Sequence, residues 1–95
     1  MESFDVYFFF NSIRLNKKEL YKAAIIKKTA SMSQIYNVLI DDRALSNFYG
    51  PLYLIKQENE WVVDYGGDID LFNLKMEISQ AIEMYESYSN EYIGR

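Results

Sequence analysis

The strongest constraint on the fold is a helical repeat of apolar side chains near the C-terminal end of the chain. Leucine, isoleucine, alanine and tyrosine recur there at intervals of three and four residues, at Leu71, Leu74, Ile78, Ala81, Ile82, Tyr85, Tyr88 and Tyr92. This spacing places side chains on one face of an α-helix. Asp68 or Asp70 can cap the start of such a helix, and Gly94 can end it. The sequence therefore predicts a long amphipathic helix that reaches about Tyr92.

Residues 4–10, with the sequence FDVYFFF, predict a strand of the sheet on which this helix packs. Its even-numbered residues lie on one face and its odd-numbered residues on the other, and both faces carry aromatic rings. We interpret the segment as a central strand whose second face is either covered by helices or in contact with another chain.

Two further strands follow Pro51, because the β-favouring runs LYLIK and WVVDY are separated by the polar QENE and so predict a hairpin. The predicted core joins the long helix to the sheet through Leu74, Ile78, Ile82, Phe8, Phe10, Leu54 and Val62.

Two pairs of residues with the spacing of a capping box predict helices between these strands. Asn16 with Glu19 predicts a helix over residues 17–28, and Ser31 with Gln34 predicts a second helix from Met32 to Phe48, ended by Gly50 and Pro51. Residues 36–40 would also fit a strand, so residues 32–48 form either one helix or a helix with a strand. The resulting fold class is a single α+β domain over residues 1–95, in the order β-α-α-β-β-α, with a small, mainly antiparallel, three-stranded sheet.

The absence of cysteine and histidine limits the chemistry that the chain can perform. It excludes thiol nucleophiles, thiolate zinc sites, histidine ligands and every catalytic triad that uses histidine as its base. We therefore expect no enzyme, no cofactor and no bound metal. The N-terminal segment lacks the pattern of a targeting signal, and no apolar run approaches the roughly 18 residues of a membrane span, so we expect a cytoplasmic protein without membrane contact.

The segment DYGGDIDL, residues 64–71, gathers Asp64, Asp68 and Asp70 around two glycines. An EF-hand loop counted from Asp68 would need a glutamate where Ser79 stands, so the segment does not match a calcium loop. Capping of the following helix accounts for one of the three aspartates. The others remain available to contact a partner.

Charge is divided unevenly along the chain, which has a net charge of −4. Residues 1–50 contain seven Lys or Arg and five Asp or Glu, whereas residues 51–95 contain three and nine. An acidic protein is poorly suited to nucleic acid, so we expect a basic protein partner instead. Because tyrosines anchor interfaces and carboxylates attract cations, the predicted contact residues are Asp64, Tyr65, Asp68, Asp70, Tyr85, Glu86 and Tyr88.

These properties predict a small acidic inhibitor that covers a basic site on another protein. The best match in physical type is an immunity protein, an antitoxin that neutralises a cognate bacterial toxin with nuclease-like activity. A phage-encoded inhibitor of a host defence nuclease would have the same character. A homodimeric structural or regulatory domain, paired through the second face of residues 4–10, is a third alternative.

Overall fold

The computed structural model describes residues 1–93, and the side chains of residues 1–88. In this part of the chain, five strands and two helices occur in the order β1 (Glu2–Ser12), β2 (Lys17–Ala30), β3 (Ser33–Ile40), α1 (Arg43–Tyr49), β4 (Leu52–Gln57), β5 (Glu60–Val62) and α2 (Ile69–Ile93). The strands form one antiparallel half-barrel in the order β1-β2-β3-β4-β5. The predicted three-stranded sheet and the order β-α-α-β-β-α are therefore wrong.

The segment predicted as a helix over residues 17–28 is strand β2. Tyr21, Ala23 and Ile25 are buried at every second position, which is the period of a strand, and Tyr21 is paired with Phe8 of β1. Asn16 lies in the turn between β1 and β2 with a φ of 52°, so it makes no capping box. The lysine and alanine content of β2 favours a helix locally, but pairing with strands on both sides overrides that preference.

Residues 32–48 contain a strand and a short helix, as the second of the two interpretations allowed. The single helix from Met32 is wrong because Ser31 lies in the tight turn between β2 and β3, with a φ of 50°. Asp42 caps α1 by accepting a hydrogen bond from the Leu45 backbone N–H at 3.0 Å. Gly50 ends α1 with a φ of 63° and donates its N–H to the Ser46 carbonyl, as predicted.

The strand at residues 4–10 is confirmed, but β1 lies at an edge of the sheet and not at its centre. The hairpin after Pro51 is also confirmed as β4 and β5. Glu58 and Asn59 form its turn, both with positive φ, which suits the right-handed twist of the two strands.

One face of the sheet packs against α2 and forms the core. Leu74, Ile78 and Ile82 are buried in one cluster with Phe8, Phe10 and Leu54, as predicted. Val62 was wrongly placed in this core, because its side chain lies on the other face of the sheet and is 49% exposed. The predicted end of the helix at Gly94 lies outside the described residues. Neither helix within residues 1–93 is long and apolar enough to cross a membrane.

Candidate protein-binding surface

The carboxylate of Asp70 is buried in the first turn of α2, where three elements meet. It accepts hydrogen bonds from Ser12 Oγ at 2.8 Å, from the Ile13 backbone N–H at 2.7 Å and from the Tyr49 hydroxyl at 2.6 Å. Burial alone would raise the pKa of Asp70, but these hydrogen bonds outweigh burial and hold the pKa below its usual value. Asp70 therefore ties α2 to the end of β1 and to α1, and its oxygens point into the protein.

Asp68 caps α2 and joins it to the loop after β1. Its Oδ1 accepts a hydrogen bond from the Leu71 backbone N–H at 3.1 Å, and its Oδ2 forms an ion pair with Arg14 at 3.0 Å. The predicted cap is thereby confirmed. The side chain remains partly exposed, beside an open depression that Arg14 shares with Gly66 and Gly67.

Asp64 and Tyr65 lie before these glycines, in the loop between β5 and α2. The Asp64 carboxylate is exposed, and its backbone carbonyl accepts a hydrogen bond from Lys75 Nζ at 2.5 Å. The Tyr65 ring packs edge to face against Phe72, with 4.9 Å between the ring centroids. Of these two side chains, that of Asp64 is the more exposed to solvent.

Glu86 ties the other end of α2 to the sheet. The Tyr36 hydroxyl donates a shared hydrogen bond to its two carboxylate oxygens, at 3.0 and 3.1 Å, and Oε2 also pairs with Lys27 Nζ. Burial, reinforced by the hydrogen bond to Glu86, raises the pKa of Tyr36 far above its usual value, so this hydroxyl stays protonated and donates. Glu86 stands four residues after Ile82, so it lies in line with the buried residues of α2 and faces the sheet.

The two predicted tyrosines on α2 have different environments. Tyr85 stacks on Phe4 of β1, with 4.1 Å between the ring centroids and an interplanar angle of 2°. Tyr88 is 71% exposed, and Met84 beside it is 75% exposed. Tyr88 is therefore available to a partner, whereas Tyr85 also packs against the edge strand.

The structure does not bring the seven predicted residues together. They form one group at the start of α2 and another near its end, and the rise of an α-helix places residues 70 and 86 about 24 Å apart along the axis. Asp70 and Glu86 act within the fold, so the exposed members of the prediction are Asp64 and Tyr88, with Tyr65, Asp68 and Tyr85 exposed in part.

An open groove that was not predicted from the sequence lies between the outer side of α2 and strand β5, and we call it the α2–β5 groove. It has a volume of about 740 Å³, and its lining includes Trp61, Met76, Glu83, Met84 and Tyr88. Glutamates on the outer side of the last helix and aromatic residues in the hairpin are visible in the sequence. Only the antiparallel sheet, which places the short strand β5 beside α2, shows that they meet.

A cation of the chain itself is already bound at the edge of the α2–β5 groove. The Lys56 ammonium pairs with Glu83 Oε1 and lies 5.3 Å from the centroid of the Trp61 ring. Trp61 donates its Nε1–H to the same carboxylate oxygen at 3.0 Å. A carboxylate and an aromatic face around one ammonium group is an arrangement that recognises cations.

Further exposed carboxylates lie on the two elements that border the groove, and one of them, Glu60, is on the same face of the sheet as Val62. Glu58 and Glu60 are exposed in the β4–β5 hairpin, and Glu77 is exposed on the outer side of α2. Among the side chains of residues 1–88, none of these three glutamates forms an ion pair. Their charge therefore faces solvent and is available to a cationic partner.

No group of three or more Asp and Glu side chains among the described residues is arranged to hold a metal ion. Comparisons with protein-family models, with curated protein sequences and with solved structures find no match to this chain. Its function is therefore inferred from the geometry of its own surface.

Proposed function

We propose that this protein is a small, non-catalytic inhibitor that binds a cationic protein in the cytoplasm and covers its basic site. An immunity protein that neutralises a nuclease-like toxin is the kind of inhibitor that fits best. The observation that carries this proposal is the α2–β5 groove, in which apolar anchors and a cation-binding carboxylate stand side by side.

The groove offers two kinds of contact to such a partner. Met84 and Tyr88 give exposed apolar and aromatic surface at its rim, and aromatic and methionine side chains are enriched at the centres of protein interfaces. Trp61 and Glu83 bind a lysine from within the chain, so an arginine or lysine of the partner can take the place of Lys56 or lie beside it.

Electrostatics supports a protein partner and not nucleic acid. The exposed carboxylates Glu58, Glu60, Asp64 and Glu77 would repel phosphates, and the chain as a whole carries a net charge of −4. The same carboxylates attract a basic cleft of a protein that itself binds nucleic acid. A phage-encoded inhibitor of a defence nuclease would use the same surface, and the genes that neighbour this one distinguish the two origins.

The proposal is tested by capturing the partner from the native host with the tagged protein and measuring its affinity for three variants. Glu83→Gln removes one charge but retains an acceptor for Trp61, and Tyr88→Ala removes the exposed ring. Asp41→Asn is the matched control, because Asp41 is an exposed carboxylate in the connection between β3 and α1.

We expect Glu83→Gln and Tyr88→Ala each to raise Kd by about tenfold or more, because both remove a contact at the centre of the interface. Asp41→Asn should leave Kd within about twofold of wild type, since Asp41 does not line the groove. If all three variants bind as tightly as wild type, the groove is not the contact surface. Capture of nucleic acid in place of a basic protein would refute the class of partner.

A further inference from the structure

The face of the sheet opposite α2 is exposed and largely apolar, and we call it the open face. Alternation along each strand places large apolar side chains on it, and six of them are between 49% and 60% exposed, namely Tyr7, Phe9, Leu20, Leu39, Tyr53 and Val62. The three isoleucines Ile26, Ile35 and Ile55 on the same face are half-buried by these neighbours. An antiparallel sheet that faced only water would alternate apolar with polar residues, so this face is expected to have a partner.

Strand register makes the apolar residues of the open face continuous. Phe9 is paired with Leu20, and Ala24 of the same strand is paired with Leu39 of β3. At the other end, Ile55 of β4 lies between Ile35 and Val62. The apolar residues therefore run as a band across the sheet, from β1 to β5.

The size of this band matches what a stable dimer needs. If a fully exposed large side chain presents roughly 200 Å², the six exposed residues together offer about 700 Å². The isoleucines and the backbone add to this area, which approaches the ~800 Å² that each partner contributes to a standard interface. A curved sheet meets its copy along a band and not over its whole face, and the apolar residues form such a band.

The charges of the open face also fit a second copy of this chain. Asp5 and Lys22 lie on it as an ion pair at 3.7 Å, so the face carries both signs and can pair each of them with its opposite in a symmetric contact. Alternation along β2 also places Lys18 and Lys28 on this face, so a strand of nucleic acid is the alternative occupant that the test must distinguish from a second copy.

We propose that the open faces of two copies pack together in a two-fold symmetric dimer. The α2–β5 groove lies on the opposite side of the sheet, so both grooves point outward and the dimer carries two inhibitory surfaces. The dimer does not depend on the function proposed above, because it uses none of the same side chains except at the margin of the sheet.

Sedimentation velocity on the purified full chain tests the proposal over a range of protein concentrations. The test variant carries Leu39→Lys and Tyr53→Lys, both on inner strands, so that an effect on pairing through the edge of β1 is avoided. The control is Met84→Lys, which also adds a charge to an exposed apolar residue but lies on α2. Circular dichroism and thermal unfolding establish that each variant is folded, and Tyr53→Ser replaces the double variant if that variant does not fold.

We expect wild type and Met84→Lys to be dimers, and the open-face variant to raise the dimer Kd by about 100-fold, since buried lysines would face each other across the interface. A wild-type monomer at all concentrations overturns the proposal. So does a dimer that Met84→Lys disrupts and the open-face variant does not. Binding of a single-stranded oligonucleotide by a wild-type monomer, lost in the open-face variant, would assign the face to nucleic acid instead.

Discussion

Removal of the Asp70 carboxylate is the sharpest test of how α2 is held on the sheet. In Asp70→Ala, the Ser12 hydroxyl, the Ile13 N–H and the Tyr49 hydroxyl all lose their acceptor in a buried place. A hydrogen bond to a charged group contributes about 1.5–3 kcal/mol, and part of this is regained because the buried charge is also removed. We therefore expect the free energy of unfolding to fall by about 3–5 kcal/mol, a large share of the ~5–15 kcal/mol typical of a domain.

Urea denaturation followed by circular dichroism measures this loss, and Tyr49→Phe provides the matched comparison. Tyr49→Phe removes one of the three donors and should cost about 1–2 kcal/mol. In the double variant the two losses should not add, because the Tyr49 hydroxyl has nothing left to bind. A loss below about 1 kcal/mol for Asp70→Ala, or strict additivity with Tyr49→Phe, would refute the anchoring role of Asp70.

The pH dependence of stability follows from the same carboxylate. The folded state holds the pKa of Asp70 below its value in the unfolded chain, which is about 3.9. The folded state therefore keeps the carboxylate ionised more readily than the unfolded state does. The contribution of Asp70 is fully present above pH ~4 and is lost as the pH falls through the lower, folded pKa. In Asp70→Asn, the free energy of unfolding should therefore fall less steeply at acid pH than it does in wild type.

Three further predictions concern the core, a buried hydroxyl and the acidic loop. Ile78→Ala should cost ~2–5 kcal/mol in urea denaturation, whereas Leu20→Ala on the open face, measured in the Leu39→Lys, Tyr53→Lys background, should cost under about 1 kcal/mol. Equal losses would mean that the faces of the sheet are assigned wrongly. Tyr21→Phe should raise the free energy of unfolding by about 1 kcal/mol, because the buried Tyr21 hydroxyl has no hydrogen-bond partner among the described residues. A lower free energy of unfolding would instead show that this hydroxyl makes a hydrogen bond. Calorimetric titration with Ca²⁺ and Mg²⁺ should show no micromolar binding, since the oxygens of Asp68 and Asp70 are already occupied.

The long helix and the hairpin could be predicted from sequence because their signals are local. The buried positions of α2 recur over several turns, and β4 and β5 are adjacent runs joined by two polar residues. Strand β2 could not be predicted in the same way, because its lysines and alanines favour a helix and its partners lie elsewhere in the chain. Tyr21, Ala23 and Ile25 do show the period of two, but their alternation is short and weaker than the capping-box spacing of Asn16 and Glu19.

The candidate site could be predicted only in part, because the burial of a carboxylate depends on residues that are distant in the sequence. Sequence charge located the acidic half of the protein, but it could not distinguish carboxylates that face solvent from those that hold the fold. One signal was available: Asp70, Leu74, Ile78, Ile82 and Glu86 follow one another at intervals of four residues, so both carboxylates belong to the same row as the core residues. A charged residue at each end of a buried row is expected to find a polar partner inside the protein.

The two anchors of α2 have a consequence for the proposed inhibitor. Because Asp70 fixes the start of the helix and Glu86 fixes it near Tyr88, the outer side of α2 between them is held in place before a partner arrives. A surface that is already ordered loses little conformational entropy on binding, and its backbone is expected to move little. Association with a basic protein should then be governed by electrostatic steering, so its rate should fall as salt screens the exposed glutamates, while dissociation should change less. A dissociation rate that rises with salt as steeply as the association rate falls would instead indicate that the contact itself is made mainly of exposed ion pairs.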